Sequence, residues 1–339
     1  LLRRSGNGSG MIDFVMTDET TNISPKVQPN PADYEFDLGT TLKGMVSVRA
    51  HVPEDAMTAS VLGTERSGHG VVIDDKGLIL TIGYVVQEAE SVWLIDHSRQ
   101  TVPGHVVGYD QQSGFGLVQA LTPLELPPIP LGNSADLMIG QSMILAGSGG
   151  RTQCVRSKVV GVREFAGYWE YLLDDAIFTQ PAHPVWGGTG LIGEDGHLYG
   201  IGSLILQTVD QNGESSAANM IVPVDELKPI LSDLCQYGQP QRAARPWIGW
   251  YVQDTREGLT VAGVVENCPA DEAGVESGDI VTAIDGAAVD DLADMYRAIW
   301  GAGGAGVSIA VTISRDGSYH VVSIDSVDRR TRLKTAKLH

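Results

Sequence analysis

Between residue 46 and about residue 223 the chain is written in short apolar or alternating runs separated by turn-forming residues. Gly70-Val71-Val72-Ile73 is followed by the polar turn Asp74-Asp75-Lys76-Gly77, and that by Leu78-Ile79-Leu80. Ser142-Met143-Ile144-Leu145-Ala146 repeats the pattern. So does the run at 197–201, behind the turn Glu194-Asp195-Gly196. Runs this short and this often interrupted predict an all-β sandwich or barrel. The period changes at 224–235, where Leu227, Ile230, Leu231 and Leu234 recur at helical spacing and Asp225 stands near the start. Residues 238–246 read as a linker. Beyond them a second unit carries strand-like runs at 259–265, 280–284, 307–314 and 319–324. Within it, Asp290 or Asp291 caps a helix whose Leu292, Met295, Tyr296 and Ile299 form one apolar stripe. Residues 11 to about 42 show little periodicity and predict an extended or disordered lead-in. No sequence-level repeat is evident.

Composition narrows the picture. A chain of 339 residues has room for two domains and a third small one, and 42% hydrophobic residues suffice for real cores. Forty-one glycines against 6% aromatics favour tight turns and short strands. A net charge of −19 repels nucleic acid and anionic membrane surfaces, and is read as a solvated acidic surface. The basic stretch from Arg329 to Lys337 is the local exception, read as a disordered solubilising end. Cys154, Cys235 and Cys268 are odd in number and lack zinc spacing, so they read as free thiols. No apolar run reaches eighteen residues, so no membrane insertion is expected. Leu1 to Gly10 resembles an expression-vector remnant, with Met11 as the native start and no signal-peptide pattern after it. On that reading a complete chain is cytoplasmic, and one trimmed of an export signal is periplasmic.

Three glycine-punctuated stretches then carry a resemblance. Gly68-His69-Gly70-Val71-Val72-Ile73-Asp74-Asp75-Lys76-Gly77-Leu78-Ile79-Leu80-Thr81-Ile82-Gly83-Tyr84-Val85-Val86 is one. Gly108-Tyr109-Asp110-Gln111-Gln112-Ser113-Gly114-Phe115-Gly116-Leu117-Val118 is the second, and His183-Pro184-Val185-Trp186-Gly187-Gly188-Thr189-Gly190-Leu191 the third. Together they resemble the catalytic segments of the HtrA branch of trypsin-like serine proteases. The second unit is similar to a bacterial PDZ domain through Gly258-Leu259-Thr260-Val261, the run from Pro269 to Val281, and Ile284-Asp285-Gly286. The resemblance implies a mainly β chain, a trypsin-like double β-barrel followed by an α+β PDZ domain. The expected boundaries are a flexible segment at 1–43, the protease-fold domain at 44–236, a linker at 237–245, the PDZ domain at 246–326 and the basic tail at 327–339.

The same resemblance places Tyr84 at the catalytic histidine, Gly114 at the aspartate, and Gly187 or Gly188 at the serine. A serine hydrolase needs a nucleophile, an adjacent base and a group that orients the base. Glycine supplies no side chain, and a phenol with an ordinary pKa near 10 is a poor base at neutral pH. The oxyanion-hole glycine of the family is Val185 or Trp186 here. The degenerate triad implies a pseudoprotease, a non-catalytic scaffold, adaptor or complex subunit. The alternative is a hydrolase using Thr189 with His183 or His69. A metal site on His69 and His183 has no third ligand, so neither metal nor cofactor is expected. In the PDZ unit, Trp247-Ile248-Gly249-Trp250 resembles the carboxylate-binding loop, with Met295 and Ile299 on the other wall of the peptide groove. Strand addition of a protein C terminus is the expected binding mode, with packing of Trp247, Ile248 and Trp250 against the first domain as the other role. Relatives trimerise through the protease domain, so a homo- or hetero-oligomer is a further expectation, with Tyr34 and Phe36 near such a contact.

Overall fold

A computed structural model describes residues 22–209 and 215–334. The stretch read as a vector remnant, Met11 and the last five residues of the tail lie outside the described residues.

Six strands follow the lead-in: β1 (Met45–His51), β2 (Glu65–Val72), β3 (Leu78–Ile82), β4 (Ser91–Ile95), β5 (Thr101–Tyr109) and β6 (Phe115–Ala120). They close into a barrel in the order β1-β2-β3-β6-β5-β4. Alternation sets which residues fill it: in β4, Val92 and Leu94 are buried while Trp93 between them is exposed. β3 departs from alternation and is buried along its whole length, because β2 and β3 meet the strands of a second barrel. That barrel consists of β7 (Ser142–Ala146), β8 (Cys154–Gly167), β9 (Tyr171–Gln180), β10 (Gly190–Ile192), β11 (Leu198–Val209) and β12 (Ser215–Pro223). Its order, β10-β11-β12-β9-β8-β7, is the first barrel's order over again when each is counted from its own first strand. The duplication is topological and leaves no trace in the sequence.

The predicted helix at 224–235 breaks in two. Val224–Glu226 is a 3-10 turn and the helix proper is Leu231–Tyr237, closed by Gly238 in the left-handed conformation. Pro229 explains the break: it has no N–H to donate and disfavours helical backbone at the residue before it. Asp225 does not cap this helix; its carboxylate accepts from the Ala135 N–H at 2.8 Å, in the 3-10 turn Ser134–Asp136.

The second unit is a sheet of β13 (Trp250–Thr255), β14 (Gly258–Val264), β15 (Ile280–Ile284), β17 (Ser308–Arg315) and β18 (Ser318–Asp325), in that order. The short β16 (Ala287–Ala288) pairs with β15. Helix Leu292–Gly301 covers the sheet, and Asp291 is its cap, accepting from the Asp294 N–H at 2.9 Å. Its predicted stripe is the buried face, so Met295, Tyr296 and Ile299 join Trp250, Val261 and Val311 in one core. Each such side chain contributes roughly 1.5–3 kcal/mol on burial.

Two segments expected to be loose are packed. From residue 22 onward the lead-in lies on the barrels, with Ile23, Leu38 and Leu42 buried. At the other end, Val327 exchanges two backbone hydrogen bonds with Trp247, Arg330 reaches Gln239 Oε1 at 2.6 Å, and the Lys334 N–H reaches Glu88 Oε1 at 2.9 Å.

Candidate functional site

The three catalytic-segment positions converge where the barrels meet. At the end of β3 a single helical turn, Gly83–Val86, carries Tyr84. The Gly83 N–H donates to the Gly114 carbonyl at 2.6 Å, which ties this turn to the second segment. The Tyr84 hydroxyl reaches across the cleft and donates to the Ser203 carbonyl on β11 at 2.8 Å. Burial pushes its pKa above the ordinary phenol value, so Tyr84 is a neutral strut between the barrels.

Gly114 ends the turn that Asp110 organises. The buried Asp110 carboxylate accepts from the Ser113 N–H and hydroxyl, both at 2.8 Å, and is paired with Arg242 at 2.8 Å. Gly114 itself sits at φ +82°, and no carboxylate projects from it.

The third segment presents backbone at both of its candidate positions, Gly187 and Gly188. The Gly187 carbonyl accepts from the His69 N–H at 2.8 Å, and the Gly188 N–H donates to the Gly202 carbonyl at 2.8 Å. Gly188 has φ +81°, and a Cβ added there would fall 1.9 Å from the His69 carbonyl oxygen. No side chain fits. Thr189 is fully buried, and its hydroxyl donates to the Trp186 carbonyl at 2.9 Å.

His183 has both ring nitrogens engaged, whereas His69 has only Nδ1 engaged and its buried Nε2 meets no partner among the described residues. His183 accepts from the Val185 N–H at Nδ1 (3.1 Å) and donates from Nε2 to the Gln153 carbonyl (3.1 Å). The Val185 N–H, one candidate for the oxyanion hole, is thereby spent. His69 accepts from the Ser148 N–H at Nδ1 (3.0 Å) and packs edge-on against His183 with ring centroids 5.8 Å apart. Desolvation, reinforced by His183, pushes the His69 pKa down to about 3, and desolvation lowers that of His183 as well. Both rings are neutral at physiological pH, and neither has a hydrogen bond to Thr189 among the described contacts.

In the second unit, Trp247, Ile248, Gly249 and Trp250 do form a loop, in which the N–H groups of Ile248, Gly249 and Trp250 turn to one point. Gly249 permits it: φ is +83°, and an added Cβ would lie 2.6 Å from Cys268 Cβ. The loop faces the β8–β9 hairpin of the second barrel. Pairing there runs through Phe165–Leu173, Ala166–Leu172 and Gly167–Tyr171, leaving Tyr168, Trp169 and Glu170 as the tip. Glu170 accepts from the Gly249 N–H at 2.9 Å, from Ile248 at 3.3 Å and from Trp250 at 3.5 Å. The carboxyl is buried, and desolvation outweighs the three donors, pushing its pKa up to about 7. Trp247, Ile248, Trp250, Met295 and Ile299 are all buried.

Glu170 was not visible as a site residue in the sequence. Its one local signal is an acid set among aromatics, Tyr168-Trp169-Glu170-Tyr171, between two strands. The hairpin tip also roofs a cavity over the cleft, lined by Tyr84, Ser203, Tyr168, Trp169, Trp247 and Tyr251.

Residues 68–201 match the trypsin-like peptidase domain family, and residues 246–325 the PDZ domain family. The chain is an HtrA-like serine protease homologue: a trypsin-like peptidase domain followed by a PDZ domain. It is 30% identical over 271 residues to Protease Do-like 1, chloroplastic, of Arabidopsis thaliana, covering 73% of this chain and 60% of that protein. To the periplasmic serine endoprotease DegP of Escherichia coli strain K12 it is 26% identical over 274 residues, covering 76% of this chain and 56% of the relative. This HtrA-like chain thus spans about three-fifths of the curated relatives it matches. Among solved structures, the HtrA-type protease AlgW with decapeptide shares the fold at a TM-score of 0.51 and 18% identity, over 88% of this chain and 98% of that one. The names of the relatives place them in chloroplast or periplasm, which lends the cytoplasmic expectation no support. No helix among the described residues is long and apolar enough to cross a membrane.

Proposed function

We propose that this HtrA-like chain is a non-catalytic recognition protein, a scaffold, adaptor or complex subunit that binds protein C termini through its PDZ domain. One observation carries the reading: of the two candidates for the lost serine, Gly188 leaves no room for a side chain and Gly187 carries none. That favours Gly187 as the counterpart of the serine, and Gly187 has no atom to attack with. The base position holds a phenol bonded across the cleft, and the aspartate position holds Gly114. Loss of a nucleophile alone costs about six powers of ten in a well-studied serine protease.

A Thr189 hydrolase would need Thr189 beside a histidine and free amide donors. Its hydroxyl is bonded to the Trp186 carbonyl, and both nitrogens of His183 are engaged with backbone. Nothing in the geometry favours that alternative. Assembly with further copies, or with an active relative, belongs to the same proposal; strictly monomeric light scattering with no captured relative would count against it. Release of peptides from unfolded casein tests the main reading. A rate no greater than the buffer control is expected, and turnover that follows the purified protein through successive columns would overturn it.

A further inference from the structure

The PDZ groove is filled from within. The β8–β9 hairpin lies between β13 and helix Leu292–Gly301, the two walls between which a PDZ domain accepts a peptide strand. Three contacts reproduce the features of such a ligand. The Glu170 carboxyl sits in the loop on the N–H groups of Ile248, Gly249 and Trp250. The Tyr168 carbonyl accepts from the Val252 N–H on β13 at 3.0 Å, a strand-addition bond. On the helix side, the Tyr296 hydroxyl accepts from the Glu170 N–H at 3.2 Å and donates to the Gly167 carbonyl at 2.7 Å. Ala166 and Leu172 add apolar contact to the PDZ core. Arg297, on the same helix, holds the flanks of the hairpin through Glu164 and, at 2.7 Å, Asp174.

The turn is shaped for the side chain it carries. Glu170 takes φ +58°, a left-handed conformation that suits Gly or Asn and strains most other residues. The carboxyl is the group that this backbone delivers to the loop.

We infer that Glu170 is an internal ligand of the PDZ carboxylate loop, and that a protein ending in a free α-carboxylate binds only by displacing the β8–β9 hairpin. The inference rests on the peptide-binding reading above and adds its regulation. Displacement has a consequence for the first domain. Tyr168 and Trp169 leave with the hairpin, and they roof the cavity beside Tyr84. Occupation of the PDZ groove thereby uncovers the former cleft, and the two surfaces become available together.

The test uses the full chain and an array of heptapeptides with randomised last four positions, made once with free carboxylates and once as C-terminal amides. An apparent affinity scales with the fraction of protein whose groove is open, so Glu170→Ala is expected to tighten carboxylate binding by at least about tenfold, with amides bound by neither form. Hydrogen exchange in residues 164–172 of the wild type is expected to rise when the best carboxylate peptide is added. If Glu170→Ala loses its folded circular-dichroism signal, Glu170→Gly, which suits the left-handed turn and removes the carboxyl, carries the same comparison. Equal binding by wild type and variant overturns the internal-ligand inference and leaves the peptide-binding reading standing. Binding by neither form sinks the peptide-binding reading, and the inference with it. Equal capture of amides and carboxylates overturns the assignment of the loop as the carboxylate site.

Discussion

Raising the pH should loosen the contact between the two domains, and Glu170→Gln isolates the effect by removing the titrating group while keeping its shape. The Glu170 carboxyl moves from an ordinary 4.5 to about 7 when the hairpin docks, mainly because burial disfavours its charge. Facing it are Arg329 from the tail, Tyr296 from the helix, Tyr251 from β13 and Cys268 behind the loop. Burial raises the last three, so they stay uncharged across the window, and the Arg329 guanidinium opposes the shift without cancelling it. Between about pH 4.5 and pH 7 the folded chain therefore holds a proton that the unfolded chain has lost, and stability falls as pH rises. The contribution is whole below about 4.5 and gone above about 7, a loss of about 3 kcal/mol. Urea unfolding of wild type and Glu170→Gln across this range, followed by tryptophan fluorescence, measures it, since Trp169 lies in the hairpin tip and Trp247 and Trp250 in the loop. The wild-type stability minus that of the variant should fall by about 3 kcal/mol. A difference that stays flat or rises with pH refutes the reasoning, because the three N–H donors would then outweigh desolvation.

Gly188→Ala puts a methyl 1.9 Å from the His69 carbonyl at a left-handed backbone position. About 1–2 kcal/mol of conformational cost and about 1–3 kcal/mol of overpacking should lower the urea midpoint by the equivalent of roughly 2–5 kcal/mol. Tyr84→Phe removes the hydroxyl bonded to the Ser203 carbonyl. It should cost about 1 kcal/mol in the same measurement and leave casein untouched. Asp291→Ala deletes the cap of helix Leu292–Gly301 and should cost about 1 kcal/mol, seen as faster amide exchange in the first turn of that helix.

Local chemistry made part of this molecule readable in advance. Ser142–Ala146 and Ile280–Ile284 are strands with the limits their flanking turn residues suggest, and the stripe of Leu292, Met295, Tyr296 and Ile299 is the buried helix face. The helix at 224–235 misled because apolar spacing continues across Pro229, which has no N–H to give to a helical ladder. The shared strand order of the barrels stayed hidden because ladders need alternation and turns, and many sequences supply both. The lead-in and the tail read as loose because their anchors are distant in sequence: Lys334 reaches back to Glu88. Glu170 is the same case with larger consequences. Its three donors lie 78 to 80 residues onward, so no window of sequence holds both halves of the contact. The residue types at Tyr84, Gly114, Gly187 and Gly188 were legible in the sequence; the Tyr84–Ser203 bond across the cleft and the Thr189–Trp186 bond were not.

The absence of a nucleophile is tested most directly by incubating the full chain with a fluorophosphonate and recording its intact mass beside a trypsin control. The account predicts an unmodified mass under conditions that label trypsin completely. A stoichiometric adduct that maps to Thr189, or to any hydroxyl bordering Tyr84, would contradict it.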